Sequence, residues 1–361
     1  MKGDWQATRR LSVEAGSAKA DRKTREGCPT ELTSSLHQQV RRTIRRHALL
    51  PPGSRVLVGV SGGSDSVALA RLLLDLSEHG EFVVVGLAHL NHGLRPTAGR
   101  DEAFCREFAN RCGLPLDVER GNVREYAASQ AVSVEDAGRR LRYAFLERAA
   151  TGVRADRIAV GHTQDDQAET FLLKLMRGAG LTGLAGIYPR RGIVVRPLLD
   201  VRDADLQAYL VSHAEPWVED ETNADVTNPR NRVRHRILPE LDLAAGGATQ
   251  PAIARAAALI RDDAQWLDQV ADERFQAVSS EVAAGLELDV TGLTTLPSPV
   301  LRRVLLQALR TTAGGREVGL DHVEAVTALL HGSHGGVDVP GSRVELRGLK
   351  LVLLQQKGGP R

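Results

Sequence analysis

The sequence predicts an α/β protein built around a parallel sheet, followed by a smaller, mainly helical or α+β region. The first observation is that short apolar stretches alternate with helical patterns between residues 55 and 196. Strands separated by helices of this size are typical of right-handed βαβ crossovers, which build parallel sheets. The second observation is the stretch 55–60, which is apolar and β-branched without polar alternation, as expected of a buried parallel strand.

The elements follow from these patterns in chain order. A helix at 36–49 precedes the first strand, and strands at 82–90, 115–119, 157–161 and 192–196 alternate with helices at 66–78, 98–112, 134–150 and 164–177. Further helices are predicted at 204–213, 232–241, 252–282, 298–309 and 321–330, with a strand at 286–290 and a hairpin over 337–351. At 361 residues the chain is long enough for two or three domains. We expect a basic, disordered extension over 1–34, a catalytic domain over 35–245 and a recognition domain over 246–361, with a hinge at Gly246-Gly247.

Composition narrows the class of protein. The hydrophobic and charged fractions, 42% and 25%, are ordinary for a soluble protein, and no apolar run reaches the ~18–20 residues of a membrane span. The three cysteines form no C-x-x-C pair, so we expect a reducing, cytoplasmic setting. Residues 1–46 hold eleven Lys/Arg against five Asp/Glu. Such a cluster fits a nucleic-acid backbone, and a solvated charged face explains it equally well.

A glycine- and serine-rich loop follows the first strand and opens a helix. Glycines let a ligand approach the backbone, and the free N–H groups of the helix start attract phosphates. There is no Walker A lysine, and a carboxylate beside a phosphate needs a divalent cation between them. The pattern S-G-G-x-D-S resembles the pyrophosphate loop of the N-type ATP pyrophosphatases, whereas an ordinary turn is the alternative. We expect the loop to bind ATP through Ser61, Gly62, Gly63, Ser64, Asp65 and Ser66.

Two further motifs end strands at the same edge of the predicted sheet. His89, His92 and Arg95 have no third soft ligand near them, which argues against zinc and favours hydrogen bonds to a nucleotide or to loop backbone. Gly161 and His162 follow the fourth strand and precede a helix whose first turns carry three carboxylates, Asp165, Asp166 and Glu169. Helix capping explains one of them. The others could hold Mg²⁺, for which we select Asp65 and Asp165, or take a proton from a nucleophile.

The remaining motifs are arginine-rich or glycine-rich. Arg139 shares a helix face with Glu135 and Arg142, and a salt-bridged surface explains this spacing as well as function does. The G-x-G-x-x-G at 178–183 follows a helix rather than a strand, which excludes a dinucleotide site and predicts a flexible loop near the active site. A second basic cluster is suited to phosphates and comprises Arg230, Asn231, Arg232, Arg234 and Arg236.

Together these motifs resemble the tRNA(Ile)-lysidine synthetases of the pyrophosphate-loop family over residues 55–241. They occur in the family's order: S-G-G-S-D-S, H-L-N-H-G-L-R, E-D-A-G-R-R-L-R-Y, G-H-T-Q-D-D-Q-A-E-T, R-G-A-G-L-T-G-L, R-P-L-L, and D-E-T-N with R-N-R-V-R. The C-terminal part matches only weakly, and the arginine-rich start lies outside the family pattern.

The resemblance implies a Rossmann-like, ATP-using domain and a two-step reaction. ATP would adenylate the wobble cytidine of a CAU-anticodon tRNA(Ile), releasing pyrophosphate, and L-lysine would then displace AMP. It implies ATP and Mg²⁺ as cofactors and tRNA(Ile) and lysine as partners, with a homodimer left open. The expected catalytic residues are Asp65, Asp165, Asp166, Glu169 and Arg139.

Two alternatives stay open at this point. One is a tRNA thiolase of the same loop family, which usually needs a reactive cysteine pair, whereas Cys105 and Cys112 have apolar neighbours typical of core thiols. The other is a nucleotide-gated RNA-binding protein without catalysis, which does not account for the cluster of carboxylates.

Overall fold

The computed structural model describes residues 29–94, 97–219, 226–283, 285–332 and 335–355. Helix α1 (Pro29–Arg46) begins earlier than the predicted 36–49 and includes the last residues of the expected extension. The rest of that extension, residues 1–28, lies outside the described residues, as do Arg95 and the D-E-T-N stretch. Within the described ranges, no helix is both long and apolar enough to cross a membrane.

The first sheet has six strands, and it confirms the predicted parallel architecture. Its strands are β1 (Ser54–Gly59), β2 (Phe82–Asn91), β3 (Leu116–Arg120), β4 (Arg157–Ala159), β5 (Arg190–Arg191) and β6 (Val194–Val195). They lie in the order β3-β2-β1-β4-β6-β5, and every neighbouring pair is parallel except β5–β6. The chain builds outward from β1 to β3 and then crosses to the other side with β4. The order therefore reverses between β1 and β4, where ligands bind in open α/β sheets.

Helices cover both faces of this sheet. They are α2 (Ser64–Ser77), α3 (Ala98–Cys112), α4 (Val123–Gln130), α5 (Val134–Gly152), α6 (Gln164–Leu175), α7 (Leu181–Leu184) and α8 (Asp203–Ser212). On one face, Val56 and Val58 pack with apolar residues of α1, α2, α3 and α8. On the other, Leu57 and Ile158 pack with Phe145 of α5. This alternation along β1 explains why the strand is apolar throughout.

The sequence patterns did not predict helix α4, and they predicted a single strand at 192–196 where the structure has the two short strands β5 and β6. Helix α4 is only eight residues long and is capped by Asn122, whose side chain accepts from the Glu125 amide. The predicted strand 192–196 is instead a short antiparallel pair, β5 with β6. Strands of two residues carry no periodicity that a sequence pattern could reveal.

The chain after β6 forms a helical region and a second sheet. Its helices are α9 (Pro229–Arg232), α10 (Leu238–Ala245), α11 (Thr249–Val278), α12 (Val290–Thr294), α13 (Ser298–Thr312) and α14 (Leu320–Leu330), with a π-helical turn (Val233–Ile237) between α9 and α10. The antiparallel strands β7 (Ser279–Val282), β8 (Gly285–Asp289), β9 (Gly336–Val339), β10 (Ser342–Arg347) and β11 (Lys350–Gln355) lie in the order β7-β8-β11-β10-β9. The predicted C-terminal hairpin is therefore part of a larger sheet, and β7 lies where the sequence predicted the end of a helix.

Helix α11 packs against both parts of the chain. Its N-terminal half contributes Ile253 to an apolar cluster with Leu172 of α6 and Leu238 of α10. Its C-terminal half buries Ala271 in the core of the second sheet, which also contains Val304 of α13. The predicted domain boundary between residues 245 and 246 stays a prediction. The long helix α11 begins just after it and packs against both parts of the chain.

Candidate active site

A cavity of about 280 Å³ opens at the carboxyl ends of β1, β2 and β4. The loop after β1 lines one wall, and Gly161 and His162, which follow β4, line another. Asp166, Arg230, His92 and Arg142 also line the cavity. The cavity thus occupies the place where the strand order reverses, as the sequence led us to expect.

The loop at 61–66 is built to leave backbone N–H groups open. Gly62 has a positive φ of +90°, which favours glycine, and the side chain of Ser66 accepts from the Ser61 amide at 3.0 Å and donates to the Gly63 carbonyl at 3.0 Å. Gly63 is the N-cap of α2, and no side chain caps this helix start. The first-turn amides are therefore available to an anion, which the helix dipole also favours.

Gly161 has a packing role that its position in the motif did not reveal. A Cβ atom at Gly161 would lie 3.1 Å from the Asp65 carbonyl oxygen and 3.2 Å from the Ser66 amide nitrogen. Because these are backbone atoms, the loop would have to move to accommodate a side chain. Glycine here lets the turn after β4 lie directly against the phosphate loop.

Of the three histidines in the predicted site, one contacts the backbone before the phosphate loop and two line the cavity. His89 is buried, its Nδ1 lies 3.0 Å from the Val60 carbonyl oxygen, and it does not line the cavity. His92 lines the cavity, with Nε2 3.5 Å from Nη2 of Arg142. Burial lowers the pKa of His162 to about 4, assisted by Arg196 and Arg230 and opposed by Asp166. His162 is therefore a neutral hydrogen-bonding group at neutral pH.

Four aspartates converge beside the loop, and one of them was not selected from the sequence. Burial raises the pKa of Asp65 to about 6, and the charges of Asp166 and Asp165 add to the rise. Burial raises the pKa of Asp203 to about 8, with further contributions from Asp65 and Asp165. The Asp203 amide also donates to Oδ2 of Asp165 at 2.9 Å, which ties α8 to α6. Asp203, like Asp165, lies at the start of a helix that follows a strand. That shared position is the feature of the sequence from which Asp203 could have been predicted.

This group of aspartates fits a hard divalent cation. The Oδ1 atom of Asp203 is buried and has no hydrogen-bond partner among the described residues. Oxygen donors that repel one another in a buried site are the ligands that Mg²⁺ prefers, and a cation would relieve the repulsion. In the described part of the chain, no three His, Cys, Asp or Glu side chains already surround a single metal position. The predicted pair Asp65 and Asp165 stays a prediction, and the Asp203 amide donates to Asp165 of that pair.

Two other carboxylates are engaged by arginines. Glu169 has no exposed surface, and its oxygens accept from Nε of Arg230 at 2.6 Å and from Nε of Arg234. Asp166 accepts from Nη2 of Arg230 at 2.7 Å and from the Thr163 amide at 3.0 Å, completing a capping box at the start of α6. Although burial alone would raise it, the pKa of Asp166 is lowered, chiefly by Arg230. Glu169 therefore anchors two arginines, and in this conformation it is not open to a substrate.

The basic cluster after α8 splits into inward and outward residues. Arg230 and Arg234 reach the carboxylates, and Asn231 is buried. Arg232 and Arg236 are exposed on the outer side. The structure thus places only Arg232 and Arg236 of the predicted tRNA-binding arginines where a large partner could reach them freely.

Arg139 lies away from the cavity. It is exposed, and its guanidinium lies 5.9 Å from the centre of the Tyr143 ring. Arg142, which follows on the same helix, lines the cavity instead. The ion pair on this helix face joins Asp136 to Arg140 at 2.7 Å rather than Glu135 to Arg139. The glycine-rich segment 178–183, predicted as a loop, contains the short helix α7.

Comparison with known proteins identifies the class. A sequence model described as the PP-loop domain matches residues 32–241. In overall fold the chain is similar to the U34-tRNA thiolase NcsA from Methanococcus maripaludis, with a TM-score of 0.55 and 18% identity, covering 65% of this chain and 80% of that one. The fold, the uncapped loop and this match define a protein of the PP-loop class.

Curated relatives narrow the class to a family. The chain is 38% identical to a tRNA(Ile)-lysidine synthase from Geobacter sulfurreducens over 81% of this chain and 63% of the relative. It is 35% identical to one from Gloeobacter violaceus over 82% of this chain and 88% of the relative. The chain belongs to the tRNA(Ile)-lysidine synthase family. It spans only 60% to 64% of the length of the Geobacter relative and of the tRNA(Ile)-lysidine synthases from Solibacter usitatus and Symbiobacterium thermophilum.

Proposed function

We propose that this protein ligates L-lysine to C2 of the wobble cytidine in CAU-anticodon tRNA(Ile), with ATP converted to AMP and pyrophosphate. The observation that carries the proposal is a cavity lined both by an uncapped phosphate loop and by the charged side chains of Asp65, Asp166, Arg142 and Arg230. An anion site alone would serve many nucleotide-binding proteins. Its combination with acidic groups suited to a cation and an amine fits a lysine-dependent adenylating enzyme.

The first step is adenylation of the cytidine. The C2 carbonyl oxygen attacks the α-phosphorus of ATP, and pyrophosphate leaves with the electrons of the broken P–O bond. The amides of the loop at 61–66 and the start of α2 bind the phosphates, and Arg142, which lines the same cavity, contributes a positive charge. Asp65, Asp165 and Asp203 would hold Mg²⁺, which neutralises phosphate charge when bound.

The second step is attack of the lysine ε-amine on C2 and departure of AMP. The amine has a solution pKa of roughly 10.4, so it must lose a proton before it attacks, and a carboxylate of the cavity would accept that proton. Asp166 is the carboxylate that both lines the cavity and is held ionised by Arg230, so it is suited to orient the ammonium group. Glu169 holds Arg230 and Arg234 in place and acts through them.

Several features support the remaining assignments. Exposed Arg232 and Arg236 are suited to phosphates of the tRNA close to the reacting nucleotide. Residues 246–361 would contribute further tRNA recognition. A reaction on tRNA with ATP as co-substrate implies a cytoplasmic enzyme.

The thiolase alternative has no support in the cysteines described here. Burial raises the pKa of Cys105 to about 12, and burial also raises the pKa of Cys112. Neither thiol is therefore a ready nucleophile or persulfide carrier at neutral pH.

The proposal is tested by incorporation of labelled lysine into tRNA, with the purified protein, ATP and Mg²⁺. The isoleucine and methionine tRNAs with CAU anticodons are compared in parallel. We expect stable label in the isoleucine tRNA only, accompanied by pyrophosphate. Pyrophosphate without lysine transfer would mean a different second substrate, and the absence of both would overturn the proposal.

A further inference from the structure

Helix α1 presents a row of arginines that the proposed reaction does not use. Its apolar residues Leu36, Val40 and Ile44 are buried in the main core. The other side carries Arg41, Arg42, Arg45 and Arg46, of which the last three are exposed. We call these four residues the arginine surface.

Among the described residues, few carboxylates neutralise the charges of the arginine surface. Arg45 is bonded to Glu81 at 2.6 Å. Within the described part of the chain, no carboxylate forms a salt bridge with Arg41, Arg42 or Arg46. Asp200 lies beside Arg42 and Arg46 in the same shallow cleft, where its carboxylate accepts from Thr43 at 2.8 Å.

Further positive charge lies beside this surface. Arg261 of α11 is only 5% exposed, and it donates to the Ile187 carbonyl at 3.2 Å rather than to a carboxylate. Burial lowers the pKa values of Arg261 and His47, and the positive charge of Arg46 lowers both pKa values further. The negative charges of Asp200 and Asp262 act in the opposite direction. Asp200 and Asp262 therefore offset part of the positive charge beside the arginine surface.

We propose that the arginine surface binds the phosphodiester backbone of the tRNA substrate at a distance from the reacting nucleotide. This inference rests on the proposed function, since it takes tRNA as the partner. The other exposed side chains of this helix between residues 35 and 46 are Ser35 and Gln38, so the surface is polar and positive without an apolar centre. Nucleic-acid interfaces have this character, whereas protein interfaces are built around apolar and aromatic anchors.

The test is tRNA affinity as a function of salt concentration for the double variant Arg42→Gln, Arg46→Gln. Each phosphate contact contributes roughly 0.7 to 0.9 to the slope of log K against log salt. We therefore expect the slope to fall in magnitude by about 1.4 to 1.8, and affinity at 0.15 M salt to fall about tenfold. The double variant Arg42→Lys, Arg46→Lys keeps the charge and should stay within about threefold of the unmodified protein.

A matched control removes the same charge from the other face of the sheet. Arg124 of α4 and Arg148 of α5 are exposed, and Arg124→Gln, Arg148→Gln should leave the salt slope unchanged. Equal effects of both glutamine pairs would overturn the proposal in favour of a general loss of charge. An unchanged slope in Arg42→Gln, Arg46→Gln with a normal melting temperature would overturn it outright.

Lysine transfer, which tests the proposed function, is measured in a separate assay. Lysine transfer at saturating tRNA should be unchanged in Arg42→Gln, Arg46→Gln, with a raised KM for tRNA. If the unmodified protein binds tRNA in a salt-dependent way but transfers no lysine, the proposed function fails and the arginine surface stands. If the protein transfers lysine and the variant has a normal KM, the inference fails alone.

Discussion

Asp65 is the residue on which the phosphate site depends most directly. It opens α2 beside the uncapped amides, and burial with neighbouring aspartates raises its pKa to about 6. Asp65→Asn removes one proposed Mg²⁺ ligand without changing shape. We expect pyrophosphate release to fall at least 100-fold, because the phosphate charge is no longer balanced, while tRNA affinity changes less than twofold.

The control for this variant is Asp117→Asn, which removes an exposed carboxylate from β3. It should leave pyrophosphate release unchanged. Retained adenylation in Asp65→Asn would remove Asp65 from the proposed site.

Asp203 gives a prediction in which stability and function move in opposite directions. Its pKa is raised from 3.8 to about 8, so between these values the folded state binds more protons than the unfolded state. Stability of the metal-free protein is thus lost as pH rises from about 4 to 8. Asp203→Asn should therefore raise the free energy of unfolding by about 2 kcal/mol at pH 8 and change it little at pH 4, while weakening activity.

Thermal melts at both pH values, with and without Mg²⁺, measure this effect. Added Mg²⁺ should raise the melting temperature of the unmodified protein at pH 8 more than that of Asp203→Asn. Equal Mg²⁺ effects in the two proteins would show that Asp203 does not hold the cation.

Most individual residues of the site could be predicted from the sequence because they occur in contiguous motifs. Asp65, Asp166 and His162 all line the cavity. The sequence could not tell that Glu169 faces Arg230 and Arg234, since those contacts join residues about sixty positions apart in the chain. Nor could it distinguish Arg139 from Arg142, because the choice depends on how α5 is rotated against the sheet.

At the scale of elements, Glu102 of α3 ties together the segment after β2. Its carboxylate accepts from Asn91 at 3.0 Å, from Arg106 at 2.9 Å and from Arg120 at 3.1 Å. These hydrogen bonds lower its pKa to about 2. They fix the end of β2 against α3 and β3, and so position the turn that carries His92.

Glu102→Gln should lower the free energy of unfolding by about 2 kcal/mol at neutral pH. The pKa is depressed in the folded state, so this stability is present above the unfolded value of 4.5 and is lost as pH falls toward 2. Urea denaturation at several pH values should accordingly show the difference narrowing below about pH 4.5. Glu107→Gln, an exposed change on the same helix, should shift stability by less than about 0.5 kcal/mol at any pH.

The elements themselves were predictable wherever a hydrophobic period ran for several turns. Helices α3 and α5 lie close to their predicted bounds because burial on one face imposes a clear pattern, and strand β2 does so because it is a continuous apolar run. The π-helical turn after α9 was not predicted, since its residues read as one continuous basic helix. Arg234 in this turn and Arg230 just before it both contact Glu169 of α6.

At the scale of the whole molecule, α11 connects the two packed regions. Ala257 is fully buried between Ile253 and Arg261, which both contact the first region. Ala257→Leu adds volume to a packed helix interface and should cost about 1 to 3 kcal/mol of stability. The rate of lysine transfer should fall with it, as the two regions are no longer held in one arrangement.

The matched change on this helix is Leu259→Ala, which shortens a side chain that is 68% exposed. Its melting temperature should stay within about 2 °C of the unmodified protein, because little apolar surface is uncovered. A stable Ala257→Leu protein with full activity would show that the interface tolerates rearrangement.

The length of α11 has a mechanical consequence. A helix of 30 residues is about 45 Å long and behaves as a stiff rod at this scale. Its N-terminal half packs against α6 and α10 and its C-terminal half packs in the core of the second sheet, so the helix fixes the distance between these two regions. An RNA molecule that touches both must match that span, and a substrate with a shorter or differently angled arm would engage one end only. If the proposed function holds, selection among RNAs with the same reacting loop would then operate by distance, far from any contact with the loop itself.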